Sequence, residues 1–383
     1  MYKIIIIVIA AVLVADTYVE AVLLWDCPYY WQLLWWFPTV AAIVGILISR
    51  ISHIVTGRYF AKGILLTVEI PKAFFAACSM IGKVLSSLVP EASAITNIIG
   101  VLLGISLSMA AFYGLLYGWK RLKVVRVSLE FENLPNEFDG YRIVQLSDLH
   151  LGSLNDNSSF MKDVIRQSNA LCGDVIVFTG DLVNFSPEEA KPFLPLLSTL
   201  SAPDGVMSVL GNHDYPQNGN KEQIQAEGRR LAEIETQIGW QVLLNEWHSI
   251  TRNGARLIFV GLDDRASKRQ VDEECLRMFM KNIPTGDFPI LLIHRPNIWS
   301  KHIVEETTVP LTLSGHTHAG QLRIGSWSPA LADCSEWCGI YRKGSQVLYV
   351  SQGTGTKFRF RLGTYAEITL ITLNRILPEI TST

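Results

Sequence analysis

Five short polar clusters stand directly behind apolar runs in this 383-residue chain. In order they are Ser147-Asp148-Leu149-His150, Thr179-Gly180-Asp181, Gly211-Asn212-His213-Asp214, a single His294, and Ser314-Gly315-His316-Thr317-His318. The residue types are those of a metal site. In an extended turn Asp148 and His150 point the same way and can hold one ion. Gly180 lets the backbone turn sharply and presents the Asp181 carboxylate, whose two oxygens can bridge two ions about 3.5–4 Å apart. Asn212 offers a neutral carbonyl ligand. His213 is an acid near neutral pH, and Asp214 is a partner placed to fix its tautomer. His316 and His318 supply two imidazoles after a glycine, one to each ion. Taken singly each cluster has a bland reading as a polar turn, and a lone histidine after a strand is more often a satisfied turn residue than a ligand. The ordered set is the signal: five of the eight histidines lie in it.

Such clusters need elements that end where they begin. Apolar runs at Arg142–Ser147, Val175–Thr179, Val206–Leu210, Arg256–Val260, Pro289–Ile293, Pro310–Leu313, Val347–Val350 and Glu367–Leu373 read as strands. Helical stretches are expected at about 158–171, 186–200, 220–238 and 271–282. Alternating strands and helices with polar residues at strand ends describe an α/β domain whose site lies along the carboxyl edge of its sheet.

The order D-x-H, G-D, G-N-H-[DE], H, G-H-x-H across 148–318 resembles the calcineurin-like metallophosphoesterase superfamily. Gly315–Gln321 is most similar to its bacterial membrane-associated branch, the group that includes UDP-2,3-diacylglucosamine pyrophosphatases, with Ala319 where that branch usually has glycine. Arg295 follows His294, where a small polar residue is common. The resemblance implies a four-layer α-β-β-α sandwich with two divalent ions. The first is implied at Asp148, His150, Asp181 and His318, the second at Asp181, Asn212, His294 and His316, with Asp181 bridging. His213 is implied as the acid or charge stabiliser at the leaving group, oriented by Asp214. Mixed nitrogen and oxygen ligands suit Mn, Fe, Zn or Co better than Mg or Ca and do not choose among the four. Two ions against two aspartates leave a positive site for a phosphate anion, and hydroxide formed between the ions would attack phosphorus in line.

Composition divides the chain. The first 119 residues hold 11 of the 68 charged residues, while the remaining 264 have ordinary soluble composition. Cys27–Ser49 and Ala92–Trp119 are uncharged over 23 and 28 residues, long enough to cross a hydrocarbon core. Ile4–Leu24 and Lys62–Val84 are further candidates, interrupted by Asp16 and Glu20 and by Glu69 and Lys72. Those charges read either as a functional site in a bundle or as interfacial and intrahelical pairs. The expected organisation is a membrane domain over 1–119 with about four transmembrane helices, then a phosphoesterase domain over 120–383. Lys120, Arg121, Lys123 and Arg126 after the last span place that domain on the cytoplasmic side of the inner membrane.

A net charge of −2 argues against a general nucleic-acid binder. The six cysteines form no CxxC pair, and only Cys334 and Cys338 lie close together. The expected activity is hydrolysis of a phosphodiester or pyrophosphate in a phosphorylated small molecule or a lipid-linked substrate. A membrane sensor or assembly protein that binds through the same domain without turnover is the alternative; the full ligand set speaks against it. Weaker candidates are Asp263-Asp264-Arg265 as a pocket rim or a solvated turn, and Trp327, Trp337 and Tyr341 as an apolar wall or ordinary packing. Lys357, Arg359 and Arg361 read as one face of a basic edge strand, lipid-facing or solvated.

Overall fold

The computed structural model describes residues 2–51, 56–154, 158–216, 219–263, 276, 278–279, 281, 283–284 and 286–376. The chain divides into two compact units, Met1–Tyr117 and Gly118–Thr383.

The first unit is helical: α1 (Tyr2–Val19), α2 (Tyr29–Ile51), α3 (Thr56–Ile64), α4 (Ile70–Leu85) and α5 (Ala92–Leu116). Five-residue π-helical turns, Glu20–Leu24 and Leu65–Glu69, follow α1 and join α3 to α4. Among the described residues, three helices are long and apolar enough to cross a membrane: Tyr29–Ser49, Gly57–Leu85 and Ala92–Lys120. Their outer faces expose Leu33, Phe37, Val84, Ile98, Leu102 and Met109, a surface that only an apolar solvent would tolerate. The inner faces carry small residues. A Cβ on Gly100 would lie 3.0 Å from Cys78 and Phe75, so glycine is what lets α5 approach α4 so closely.

The second unit is built from two six-stranded sheets. The first orders β1 (Leu122–Phe131), β12 (Ala366–Arg375), β2 (Arg142–Leu146), β3 (Val175–Thr179), β4 (Val206–Val209) and β5 (Gln241–Val242). The second orders β10 (Gly339–Lys343), β11 (Gln346–Val350), β9 (Leu311–Ser314), β8 (Phe288–Leu292), β7 (Ala255–Gly261) and β6 (Glu246–Arg252). Strands β2 to β5 pair in parallel, as do β7, β8, β9 and β11. Parallel strands covered on both faces must be apolar throughout, and β3, β8 and β11 are buried at every position.

The inner faces of the sheets share a core that includes Leu129, Val177, Met207, Phe259, Ile290, Leu313 and Tyr349. Outside the first sheet, α6 (Ser158–Ala170) and α8 (Lys221–Gln237) pack through Met161, Val164 and Leu231. Outside the second sheet lie Leu276, Ile298, Trp299 and Ile303. The result is the four-layer α-β-β-α sandwich expected from the sequence. The expected 186–200 helix is a 3-10 segment, Pro187–Phe193, followed by the short α7 (Leu194–Leu197), because Pro192 and Pro195 remove amide donors. The expected 271–282 helix falls mostly outside the described residues.

Candidate binuclear metal site

Every expected ligand lies just beyond the carboxyl end of a strand. Asp148 and His150 follow β2, Asp181 follows β3, Asn212, His213 and Asp214 follow β4, His294 follows β8, and His316 and His318 follow β9. The two sheets bring these ends together. Ligand atoms of Asp148, His150 and His318 lie within 4.8 Å of one another, and so do those of Asp181, His294 and His316.

The backbone is strained where these side chains leave it. Asp148, His150, Asp181, His316 and His318 all have φ between +47° and +75°. For residues with a Cβ this conformation costs on the order of 1–3 kcal/mol each and persists only where the surroundings enforce it. Gly315 allows one of the turns: a Cβ there would fall 1.9 Å from Ser147 Oγ and 2.4 Å from Asp148 Oδ2.

The two groups meet at Asp181. Its Oδ2 is 3.1 Å from His294 Nε2 and 3.6 Å from His150 Nε2, while its Oδ1 accepts the backbone N–H of His213 at 2.7 Å. His150 Nε2 and His318 Nε2 are 3.0 Å apart, and His318 Nε2 is 3.4 Å from Asp148 Oδ1. His316 Nδ1 is 3.2 Å from His294 Nε2. His294 Nδ1 lies 2.7 Å from the Thr179 carbonyl, which fixes that nitrogen as the donor and turns the Nε2 lone pair inward. Ser147 Oγ and the His316 amide donate to Asp148 at 2.6 and 3.0 Å.

The donor set fits divalent metal. Burial lowers the His150 and His316 imidazoles to about 3 and holds His318 well below its usual range. They therefore offer lone pairs near neutral pH, the form an ion requires. Burial works to raise Asp181, but His294 and His150 outweigh it and hold the carboxyl well below the usual range. Burial, against the opposing pull of His294, pushes Asp148 up to about 6. Asn212 Oδ1 is buried beside this cluster's loops with no hydrogen-bond donor, an orphaned acceptor that a cation would satisfy.

The Asp214 carboxylate does not do what its place beside His213 suggests. It accepts backbone N–H groups of Asp181 and Gly211, both at 2.8 Å, and of Val183 at 3.1 Å. It braces the two ligand-bearing loops together, and burial with the Asp181 charge pushes it up to about 7 despite these bonds. His213 Nδ1 instead donates to the Asn184 carbonyl at 3.2 Å.

Two basic residues take places the sequence did not disclose. Residues 357–361 form no strand, so the expected basic edge is absent. Lys357 Nζ lies 3.3 Å from both ring nitrogens of His213. Burial lowers the His213 pKa, Lys357 adds to this, and Asp181 opposes it. Arg361 is fully buried and donates to the carbonyls of Gln352, Gly353, Gly355 and Tyr365 at 2.7–2.9 Å. It fixes a loop whose Thr354 and Gly355 amides bond the carbonyls of Ser147 and Asp148. Its signal in the sequence is the pair Gly353 and Gly355, which interrupts any strand pattern.

Of the weaker candidates, Trp337 is buried against Ala319 and Ala330, and Tyr341 Oη accepts the Trp337 amide, so both are packing residues. Trp327 is half exposed. Asp263 accepts from Tyr215 Oη at 2.6 Å, and Asp264 and Arg265 lie outside the described residues. Cys334 and Cys338 are free thiols, pushed by burial up to about 12 and 11.

Comparison with known proteins places these features in company. The family model described as calcineurin-like phosphoesterase matches residues 141–320. The chain is 30% identical to the uncharacterized metallophosphoesterase YkuE of Bacillus subtilis, over 67% of this chain and 89% of that protein. It is 29% identical to a transmembrane protein with metallophosphoesterase domain from Danio rerio, over 70% of this chain and 61% of that protein. It is 27% identical to the UDP-2,3-diacylglucosamine pyrophosphatase LpxG of Chlamydia trachomatis, over 65% of this chain and 88% of that protein.

Proposed function

This chain belongs to the calcineurin-like phosphoesterases, metal-dependent hydrolases of phosphoric esters, and from that premise we propose that it cleaves a phosphodiester or pyrophosphate in a lipid-linked substrate at a membrane surface. The observation that carries the reading is the pair of ligand groups meeting at one Asp181 oxygen, in the same chain as three helices able to cross a membrane. The likeness to LpxG, a pyrophosphatase named for a diacylated sugar nucleotide, supports that substrate class. Lys120, Arg121, Lys123 and Arg126 support a catalytic unit on the cytoplasmic side of an inner membrane.

Asp148, His150, Asp181 and His318 would hold one divalent ion, and Asp181, Asn212, His294 and His316 the other. Such a pair supplies Lewis acidity and a nucleophile from water at neutral pH. The protein's own groups do the rest. Asp214 acts as a positioning residue that sets the spacing between the Asp181 and Asn212 loops. His213, its Nδ1–H held by the Asn184 carbonyl, would serve the departing oxygen in its imidazolium form, giving up the proton on Nε2. Lys357 beside it contributes fixed positive charge where negative charge develops, which suits a leaving group that is itself a phosphate.

The test uses the full-length chain in detergent. Metal analysis is expected to give about two divalent ions per chain. Hydrolysis of bis-p-nitrophenyl phosphate should be lost in Asp181→Asn, and UDP-2,3-diacylglucosamine should be cut faster than its deacylated form. Metal binding with no turnover of any of these would replace hydrolysis with ligand sensing. Equal rates on acylated and deacylated substrates would remove the lipid-linked reading.

A further inference from the structure

The helical unit encloses a polar cluster that the phosphoesterase reading leaves without a role. Asp16 on α1 and Glu69, the last residue of the second π-helical turn, are 0% and 3% exposed, and Lys72 on α4 is 8% exposed. Lys72 Nζ is 3.1 Å from Asp16 Oδ1 and 3.5 Å from Glu69 Oε1. It also donates to the Trp35 carbonyl at 2.7 Å and lies over the Trp35 ring. Between the carboxyls stands Thr39 of α2, with its Oγ1 2.5 Å from Asp16 Oδ2 and 3.2 Å from Glu69 Oε1.

Two independent features show that this cluster is one positive charge short. The first is hydrogen accounting. A hydroxyl has one proton to donate, yet Thr39 Oγ1 is within hydrogen-bond distance of an oxygen from each of two carboxyls. If it donates to Asp16, the contact with Glu69 needs a proton from Glu69; if it donates to Glu69, the proton must come from Asp16. The second is Glu69 Oε2, which is buried with no donor in reach. An ionised carboxylate oxygen so placed is among the most expensive groups to bury, and a protonated carboxyl is far less so. Formal charge agrees: two carboxylates against one ammonium leave −1 inside an apolar helical unit.

Among the described residues, no other group is seen to supply the missing charge. Glu20, on the first π-helical turn, is taken up by Trp36 Nε1 at 2.8 Å. Tyr18 of α1 donates to Ser79 of α4, Arg58 of α3 donates to Ser49, and Lys62 lies over the Tyr59 ring. Helix α5 carries no charged residue. A sodium ion at these carboxyls would be repelled by the Lys72 ammonium, 3.1 Å from Asp16 Oδ1 and 3.5 Å from Glu69 Oε1.

We infer that the Asp16–Thr39–Glu69 chain is a proton-binding site, holding one proton at neutral pH and making the cluster neutral with Lys72. The chain then reads Glu69 O–H to Thr39 Oγ1, Thr39 O–H to Asp16 Oδ2, with Asp16 Oδ1 accepting from Lys72. Both π-helical turns lie at acidic residues of this unit, the kind of local widening often found at functional positions.

The experiment is infrared difference spectroscopy of the full-length chain in lipid bilayers at neutral pH, in H2O and D2O. The catalytic unit contributes its own protonated carboxyls, so the reading is the difference between variants. Glu69→Gln should remove one protonated-carboxyl stretch per chain, and Asp16→Asn should remove the same one, because either change leaves a neutral pair with Lys72. Thr39→Val keeps both carboxyls, so the band should persist at a shifted frequency; this variant decides the matter if the others fail to fold. Spectra of the first two variants identical to the parent in this region would overturn the proposal. So would a band that appears only when sodium is withdrawn, which would assign the site to that ion.

Discussion

The two units of this chain bury acidic side chains in opposite ways. In the α/β unit the carboxyls of the candidate metal site stand on loops just past strand ends, where the backbone has left its ladder and its N–H groups are free to bond side chains. Asp214 takes three of them, Asp181 one and Asp148 one. In the helical unit the backbone satisfies itself along each helix, so Asp16, Glu69, Lys72 and Thr39 bond side chains and a single carbonyl. The difference follows from solvent. Where no water replaces lost backbone bonds, helices cannot lend amides to side chains, and buried charges must neutralise one another. Strand-end loops can lend them, at the expense of strained φ angles, and they gain side chains aimed at a common point.

The comparison breaks first at Asp181, the residue on which both ligand groups converge. Asp181→Asn keeps the shape and the acceptor for the His213 amide but removes a charge. Hydrolysis of bis-p-nitrophenyl phosphate should fall on the order of 10³-fold, the scale of losing a main electrostatic contributor at a preorganised site. Metal analysis should show at least one ion lost. Unchanged turnover would mean that the strand ends converge for structural reasons alone.

In the helical unit the matching change is Lys72→Met. It removes the one positive partner that two buried acids have among the described residues, and breaking a buried pair costs about 3–5 kcal/mol. Thermal unfolding of the detergent-solubilised chain should show a large drop. Adding Asp16→Asn to the same chain should recover part of it, because the second change removes an unpaired charge. A double variant as unstable as the single one would mean that Lys72 acts through its packing on Trp35 and not through charge.

Asp214 sharpens the contrast at a smaller scale. As a brace for three backbone amides it should, when changed to Ala, lower metal affinity about 10–100-fold, the effect of losing an outer partner of metal ligands. Competition with a chelator measures this. If Asp214 oriented His213 instead, metal affinity would hold and the pH profile of turnover would move.

The sequence is legible where period and punctuation coincide. The runs at Val175–Thr179 and Val347–Val350 are buried on both faces, so their apolar character is continuous and their ends are marked by Gly180 and by Ser351-Gln352-Gly353. The ligands follow those ends, which is why the metal-type residues could be picked out. Strand β1 is harder to read: as the outermost strand of its sheet it mixes Lys123, Arg126, Ser128 and Glu130 with apolar residues, and no chemistry marks its end. Adjacency in the sequence pairs Asp214 with His213, but the turn after Gly211 sends its carboxylate back to the Asp181 loop. Alternating charges and aromatics read Arg361 as part of an edge strand, lipid-facing or solvated. Carbonyls from 352–365 instead converge on its guanidinium, a long-range arrangement that no local pattern encodes.

One residue crosses the boundary between the two patterns and so tests it most finely. Glu235 lies on α8 of the α/β unit, yet it is buried as the helical unit's acids are, against a hydroxyl and no backbone amide. Ser208 Oγ is 2.5 Å from its Oε2, and its Oε1 has no partner. Burial, with the Asp214 charge adding to it, holds its carboxyl well above the usual range. The sign follows. An acid whose folded pKa is raised favours the neutral form, so its contribution to stability is fully present below the unfolded value and is lost as pH rises through the folded one. Glu235→Gln is a neutral isostere at every pH. The parent should therefore lose stability toward alkaline pH relative to the variant, by about 1–3 kcal/mol, the range for burying an unsatisfied polar group. Near pH 4 the two should match. Denaturant titrations of the full-length chain at acidic, neutral and alkaline pH measure the gap. A constant gap would show that Glu235 stays ionised, with its charge balanced as on a strand-end loop. A gap that opens with pH would place it with the acids of the helical unit, which are buried against a hydroxyl with no backbone amide to meet them.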